Sequence, residues 1–153
     1  MTMRRTILFI AAVLAVSSCR QASDIPFEEV KNYFFRNGAA IPDSPVIDSS
    51  VQFEELFGPA AFMGKGGQPT LVDFGKEFVI AVVNPETDCH TELIPLSLQK
   101  VDGELVFTYI ETIGEQQSWT MRPVLLVKMD RKYKAESARL ERRLEVLSPD
   151  DSE

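Results

Sequence analysis

The sequence predicts an α+β domain with a mainly antiparallel sheet, short N-terminal helices and a charged C-terminal helix. Residues 78–83 are a continuous run of strand formers, which is typical of a strand buried on both faces. Further strand-like segments follow at hairpin spacing, and the charged segment 131–147 has leucines at helical spacing. A hydrophobic fraction of 44% over 153 residues indicates one globular domain.

The first N-terminal helix is predicted over residues 25–36. Asp24 is expected to cap it, because an aspartate side chain can accept hydrogen bonds from the free amides of a first turn. Phe27, Val30 and Phe34 recur at positions i, i+3 and i+7 and would form one apolar face.

A second short helix is predicted after the irregular segment 37–48. Ser49 and Gln52 have the spacing of a capping box, in which the serine oxygen and the glutamine side chain satisfy amides of the first turn. Phe53, Leu56 and Phe57 would supply its apolar face, and Gly58-Pro59 would end it.

The rest of the sheet is predicted as an antiparallel meander of segments 92–100, 104–111 and 118–129. Asp102-Gly103 is a typical two-residue hairpin turn between the first two segments. Trp119 and Met121 alternate with polar residues, which places them on one side of a strand. We expect them in the core; the alternative is an aromatic anchor on an exposed face.

The C-terminal helix is predicted over residues 131–147. Leu140, Leu144 and Leu147 stand at i, i+4 and i+7 among helix-forming residues. The charged side chains of this segment are of both signs, which is typical of a solvated helix face. Residues 148–153 form an acidic tail.

The N-terminus has the form of a secretory signal peptide over residues 1–18. Two arginines precede an apolar stretch that is too short to span a bilayer. Val16-Ser17-Ser18 before Cys19 resembles a bacterial lipobox, which implies cleavage after Ser18 and lipidation of Cys19. The alternative is a plain secretory signal with a cysteine at its boundary. We expect Cys19 to anchor the chain in a membrane of the cell envelope, the outer one rather than the inner one.

Cleavage would leave a lipidated N-terminus and short tether at 19–23, followed by a single domain over residues 24–147. Loss of two arginines leaves 14 basic and 23 acidic residues, a net charge of −9. Nucleic acid is therefore not an expected partner, since its phosphates need a basic surface. With Cys19 modified, Cys89 has no partner for a disulfide within the chain.

The middle of the chain resembles the C-terminal domain of the PrcB family, bacterial lipoproteins associated with a secreted protease complex. The similarity covers residues 46–130, with a short helix ending in Phe53-Glu54-Glu55-Leu56-Phe57 and the segment Asp73-Phe74-Gly75-Lys76-Glu77 before an apolar strand. The resemblance implies association with an exported protease and no catalysis. The family's Pro-Thr-Gly-Gly-Tyr turn is replaced here by residues 85–90, which contain no glycine.

Residues 84–92 are the candidate site, because they form the densest cluster of reactive side chains. The expected partner-binding residues are Asn84, Pro85, Thr87, Asp88, Cys89 and His90. In an extended strand Cys89 and His90 point to opposite sides, which disfavours a cysteine hydrolase.

This segment is compatible with two functions. The first is binding: a lipid-anchored, non-enzymatic protein without a cofactor would dock on, stabilise or inhibit an exported protease or another envelope protein. The alternative is a small-ligand or metal-binding lipoprotein, in which Asp88, His90 and Glu92 project to one side and share a divalent cation.

Overall fold

The computed structural model describes residues 21–147 and shows a mostly β fold. Strands account for 54% of these residues and helices for 8%, so the predicted α+β class is wrong. The predicted signal peptide, Cys19 and the tail 148–153 lie outside the described residues.

The described chain contains ten strands, one α-helix and one short 3-10 helix in three sheets. The first four-stranded sheet, sheet A, has the order β1-β7-β8-β10, and the second, sheet B, has the order β2-β9-β6-β4. The strands β3 and β5 pair separately. The elements are β1 (Ala22–Asp24), β2 (Glu28–Glu29), β3 (Tyr33–Phe35), β4 (Val46–Ile47), α1 (Ser50–Leu56), β5 (Phe57–Pro59), β6 (Glu77–Val83), β7 (Thr87–Val101), β8 (Glu104–Met121), β9 (Val124–Asp130), the 3-10 helix (Arg131–Tyr133) and β10 (Ala138–Val146).

Sheet B lies between two apolar layers. Phe78, Ile80 and Val82 of β6 point into a core shared with β7, β8 and β9, the inter-sheet core. Val79 and Ala81 point the other way, into a helix-side core built with α1, β3 and β5. This alternation explains why β6 is apolar from Phe78 to Val83, and the predicted buried strand is confirmed.

The helix predicted over residues 25–36 is wrong. Phe27 packs on the inter-sheet core, Val30 is buried in the helix-side core and Phe34 is largely exposed, so the three side chains do not share a face. Asn32 has a positive φ of 65°, which interrupts any regular helix. Asp24 lies in β1 and accepts a hydrogen bond from Gln99.

The C-terminal helix predicted over residues 131–147 is also wrong. Only Arg131–Tyr133 form a turn of 3-10 helix, and Ala138–Val146 are the strand β10, parallel to β8. Leu140 packs partly on the inter-sheet core, whereas Leu144 and Leu147 are each 52% exposed. Leu140 and Leu144 are four residues apart and share one face in a strand as well as in a helix, so their spacing did not distinguish the two.

The predicted meander is correct in its first half. The strands β7 and β8 form an antiparallel hairpin, and Asp102 and Gly103 both have positive φ, as a type I′ turn requires. The predicted third strand, 118–129, is divided at Arg122-Pro123. Its first part ends β8 in sheet A, and its second part is β9 in sheet B.

The second predicted helix is confirmed as α1. The Ser49 side chain accepts a hydrogen bond from the amide of Gln52, as the capping pattern indicates. Phe53 and Leu56 are buried in the helix-side core. Phe57 is buried there as well, but it belongs with Gly58-Pro59 to the strand β5 and not to the helix, so that part of the prediction is wrong. Within residues 21–147 no helix has the length and apolar character needed to cross a membrane.

Candidate functional site

The predicted site begins where the chain crosses from sheet B to sheet A. The amide of Asn84 donates to the carbonyl of Pro123 at 3.0 Å, in the return crossover from β8 to β9. Arg122 donates to the Asn84 carbonyl at 3.1 Å, forms an ion pair with Glu86 at 3.5 Å, and lies over the ring of Phe35. The two crossovers are therefore held side by side, and Asn84 has a structural role.

A buried carboxylate reinforces this junction. Glu111 is only 7% exposed, and it accepts hydrogen bonds from the Asn84 side chain at 2.8 Å and from Arg142 at 2.9 Å. Burial, together with the nearby Glu111 charge, raises the pKa of Tyr109. The cluster connects the crossover to β8 and to the edge strand β10, and no local pattern in the sequence indicates it.

Asp88, His90 and Glu92 lie exposed along the first half of β7. The Asp88 carboxylate accepts a hydrogen bond of 2.6 Å from Gln116 on β8. Among the described residues no group of three or more His, Cys, Asp or Glu side chains is placed to hold a metal ion. The structure does not bring this triplet together as a ligand set, in part because β7 is irregular at Cys89.

Cys89 is half-buried on β7. Its amide donates to the Thr87 hydroxyl at 3.1 Å, and its sulfur lies 3.8 Å from a carboxylate oxygen of Asp88. His90, the next residue, is exposed. Cys89 and His90 therefore differ in their access to solvent.

Trp119 does not lie in the core, where it was predicted; its position agrees with the alternative, an aromatic anchor on an exposed face. It is 63% exposed, although we expected it in the core. Thr87 pairs with Met121 and Cys89 with Gln116, so a single residue of β7 faces four residues of β8. This bulge includes Trp119 and disrupts the simple alternation of the strand. The polar run that precedes Trp119 was a signal that this part of β8 leaves the core.

Four exposed side chains thus share this end of the β7–β8 hairpin. We call Pro85, Asp88, His90 and Trp119 the hairpin-end surface. Pro85, Asp88 and His90 were predicted from the sequence, and the pairing of the two strands adds Trp119. Of the other predicted residues, Asn84, Thr87 and Cys89 are partly buried and hold the local backbone.

A separate apolar groove, which we call the aromatic groove, lies on the helix side of sheet B. It has a volume of about 760 Å³ and opens between α1, the β3–β5 pair and the loop 60–74. Asn32 anchors that loop through two 2.8 Å hydrogen bonds to carbonyl groups of Gly66 and Gln68. Its lining is mainly aromatic, aliphatic and proline side chains: Tyr33, Phe53, Phe57, Pro59, Pro69, Leu71, Val72 and Phe74, with Arg36, Ser50, Glu54 and Gln68.

Comparison of the chain with protein-family models, with curated proteins and with solved structures finds no significant match. The resemblance to the PrcB family therefore stays a prediction from the sequence.

Proposed function

We propose that this protein is a lipid-anchored, non-enzymatic binding protein of the cell envelope that docks on a protein partner through the hairpin-end surface. The observation that carries the proposal is the exposure of Trp119 on a bulge beside Asp88. Tryptophan supplies a large contact area at a small entropic cost, and it is enriched among the residues that dominate binding energy at protein interfaces.

The surroundings of Trp119 fit the usual anatomy of such an interface. Asp88 and His90 are exposed polar neighbours on the paired strand, and Gln116 holds the Asp88 carboxylate in place. An apolar anchor with a polar rim is typical of reversible contacts between proteins. The crossover network around Asn84 and Arg122 supplies a fixed scaffold beneath this surface.

A binding role is also supported by the arrangement of the reactive side chains. Cys89 and His90 differ in exposure, and the cysteine sulfur contacts the Asp88 carboxylate and not His90, so the two side chains are not arranged as a nucleophile and its base. The proposed partner is an exported protease or another envelope protein. This choice comes from the family resemblance of residues 46–130 and from the predicted lipid anchor at Cys19.

The proposal is tested by affinity capture of the full chain from its own cell envelope. The wild type should capture a specific partner. Trp119→Ala should capture at least about tenfold less of it, and Glu55→Ala, on the exposed side of α1, should capture the same amount as the wild type. Circular dichroism should show all three chains folded. Retention of the same partner by Trp119→Ala would contradict the proposal.

The aromatic groove favours a second candidate function, the binding of a small apolar ligand. Its volume of about 760 Å³ lies within the range of about 300 to 1,000 Å³ that is usual for ligand sites. Leu71 lines the groove but is 83% exposed, so Leu71→Arg should block the groove without unfolding the chain. A fluorescent fatty acid should bind the wild type and a Leu96→Arg control, and not Leu71→Arg. Equal fluorescence from all three would exclude this function.

A further inference from the structure

Among residues 21–147, the strand β10 has one edge without a partner strand. It is the terminal strand of sheet A there, and its described pairing is with β8, over all nine residues from Ala138 to Val146. Within residues 21–147 no backbone hydrogen bond joins its other edge to another element. A free edge exposes a row of amide and carbonyl groups that can pair with a further strand.

The sequence of β10 is complementary to itself when it is reversed. In an antiparallel pair centred on Arg142, a residue of one copy faces the residue of the other copy that lies equally far from Arg142 on its opposite side, so the two residue numbers add up to 284. Arg139 then faces Glu145, and Glu141 faces Arg143. Opposite charges directly across an antiparallel pair are stabilising, and like charges are destabilising.

The apolar residues of β10 also match in this register. Leu140 faces Leu144, and Ala138 faces Val146. Ala138, Leu140, Leu144 and Val146 all lie on the face of sheet A that includes Phe107, because alternate residues share a face and Leu140 pairs with Phe107. A small cavity of about 120 Å³ is lined by Leu140 and Ile41, and in this register Leu144 of a second copy would lie opposite Leu140.

Shifting the register by two residues removes the match. A shift in one direction sets Glu141 against itself and Arg139 against Arg143, and a shift in the other sets Arg143 against itself and Glu141 against Glu145. Odd shifts would place the core-side face of one copy beside the outer face of the other. Shifts by four again set opposite charges together, but they pair only five residues of each strand. The centred register is therefore the one that matches opposite charges and pairs all nine residues.

The charges in question are available for such a contact. Arg143 and Glu145 form no ion pair within the described part of the chain. Arg142, which would face its own copy at the centre, already donates to Glu111 at 2.9 Å, so its charge is compensated. Arg139 lies close to Glu104 and Glu141.

We infer that β10 pairs with β10 of a second copy of this chain, antiparallel and centred on Arg142, to join two copies of sheet A into one eight-stranded sheet. Charged residues on an edge strand often serve to prevent pairing. Here each charged residue of the strand except Arg142 faces an opposite charge, which favours pairing with a second copy in one register.

Charge reversal tests this pairing on the full chain in mild detergent. Sedimentation equilibrium should show a dimer of the wild type. Glu141→Arg and Arg143→Glu should each raise the dimer Kd by at least about tenfold, because each sets like charges together at two symmetric places. The double variant, Glu141→Arg with Arg143→Glu, exchanges the charges and should restore dimers to within about threefold of the wild type.

The matched control is Glu55→Arg, which makes the same charge change on exposed α1 and should leave the Kd unchanged. Thermal unfolding checks that every variant is folded. A monomeric wild type would overturn the inference. A dimer that neither single reversal weakens would also overturn it, because two chains that merely share a micelle would behave in that way. Failure of the double variant to form dimers again would overturn it as well.

Discussion

The two ends of the β7–β8 hairpin differ although the same two strands form both. At the end with the Asp102-Gly103 turn, Leu98, Leu105 and Phe107 are almost wholly buried in the inter-sheet core. At the other end, Asp88, His90 and Trp119 are exposed, and the pairing is broken by bulges.

The difference shows how one hairpin can stabilise the core at one end and, under the proposed function, bind a partner at the other. The turn end is covered by sheet B, so its side chains contribute buried apolar area. The open end extends past the core, and its exposed side chains make few contacts that a substitution would break. Exposed residues on a fixed scaffold are available for partners without loss of stability.

The largest expected contrast is between two aromatic residues of β8. Phe107→Ala should lower the free energy of unfolding by about 3 to 5 kcal/mol, because the ring is fully buried against Phe27 and Tyr109. Trp119→Ala should change it by less than about 0.5 kcal/mol, since the side chain is mostly exposed. Urea unfolding measures both, and equal losses would refute the contrast.

Glu111 marks the border between the two ends, and its removal should have an intermediate effect. Glu111→Ala leaves the Asn84 amide and Arg142 without their acceptor, which should cost about 1 to 3 kcal/mol of unfolding free energy. Glu115→Ala, four residues further on β8 and exposed, is the matched control and should cost almost nothing. Urea midpoints that do not differ between these variants would show that the junction is not held by Glu111.

Two glycines of β8 and its turn should respond in opposite directions. Gly103 has a φ of 85°, so Gly103→Ala should cost about 1 kcal/mol through backbone strain alone, because a Cβ there meets no atom within 4 Å. Gly114, at the open end, has ordinary backbone and only van der Waals neighbours around an added Cβ. Gly114→Ala should leave stability unchanged or raise it by about 0.4 to 1 kcal/mol. Thermal unfolding of both variants checks the sign of each change.

The smallest effect concerns Asp48, outside the hairpin. A hydrogen bond from Lys134 holds the pKa of Asp48 below its usual value, and the charges of Lys134 and Arg131 add to this. Because the folded pKa is lowered, the contribution is present above about pH 4 and is lost as the pH falls through the folded pKa. Exposed ion pairs contribute about 0.2 to 1 kcal/mol, so Asp48→Asn should reduce stability slightly at pH 7 and not at pH 2. A loss that is constant with pH would contradict this.

The turn end of the hairpin was predictable because several signals agree there. Asp102-Gly103 requires positive φ, alternation marks the flanking strands, and the unbroken run of β6 identifies a strand with two buried faces. Ser49 likewise marks the start of α1 through a contact three residues away. Each of these signals depends on neighbours in the sequence.

The wrong predictions concern segments whose structure depends on distant partners. Residues 25–36 are extended in part because the amide of Val30 donates a hydrogen bond to the carbonyl of Leu126. The segment 138–146 is a strand because it pairs with β8. The candidate site was predicted in part: residues 84–92 lie at the open end of the hairpin, but Trp119 was expected in the core and the aromatic groove was missed. The bulge opposite Asp88 and the walls of the groove are products of tertiary packing.

Amide hydrogen exchange of the full chain tests the central contrast most directly. The account predicts the slowest exchange in β6 and in residues 105–109 of β8, near the rate of global unfolding. It predicts much faster exchange in residues 114–121 and 87–92, whose bulged pairing lies beyond the core. Protection of residues 114–121 equal to that of β6 would show that the open end belongs to the core, and would contradict the proposal that it is a recognition surface.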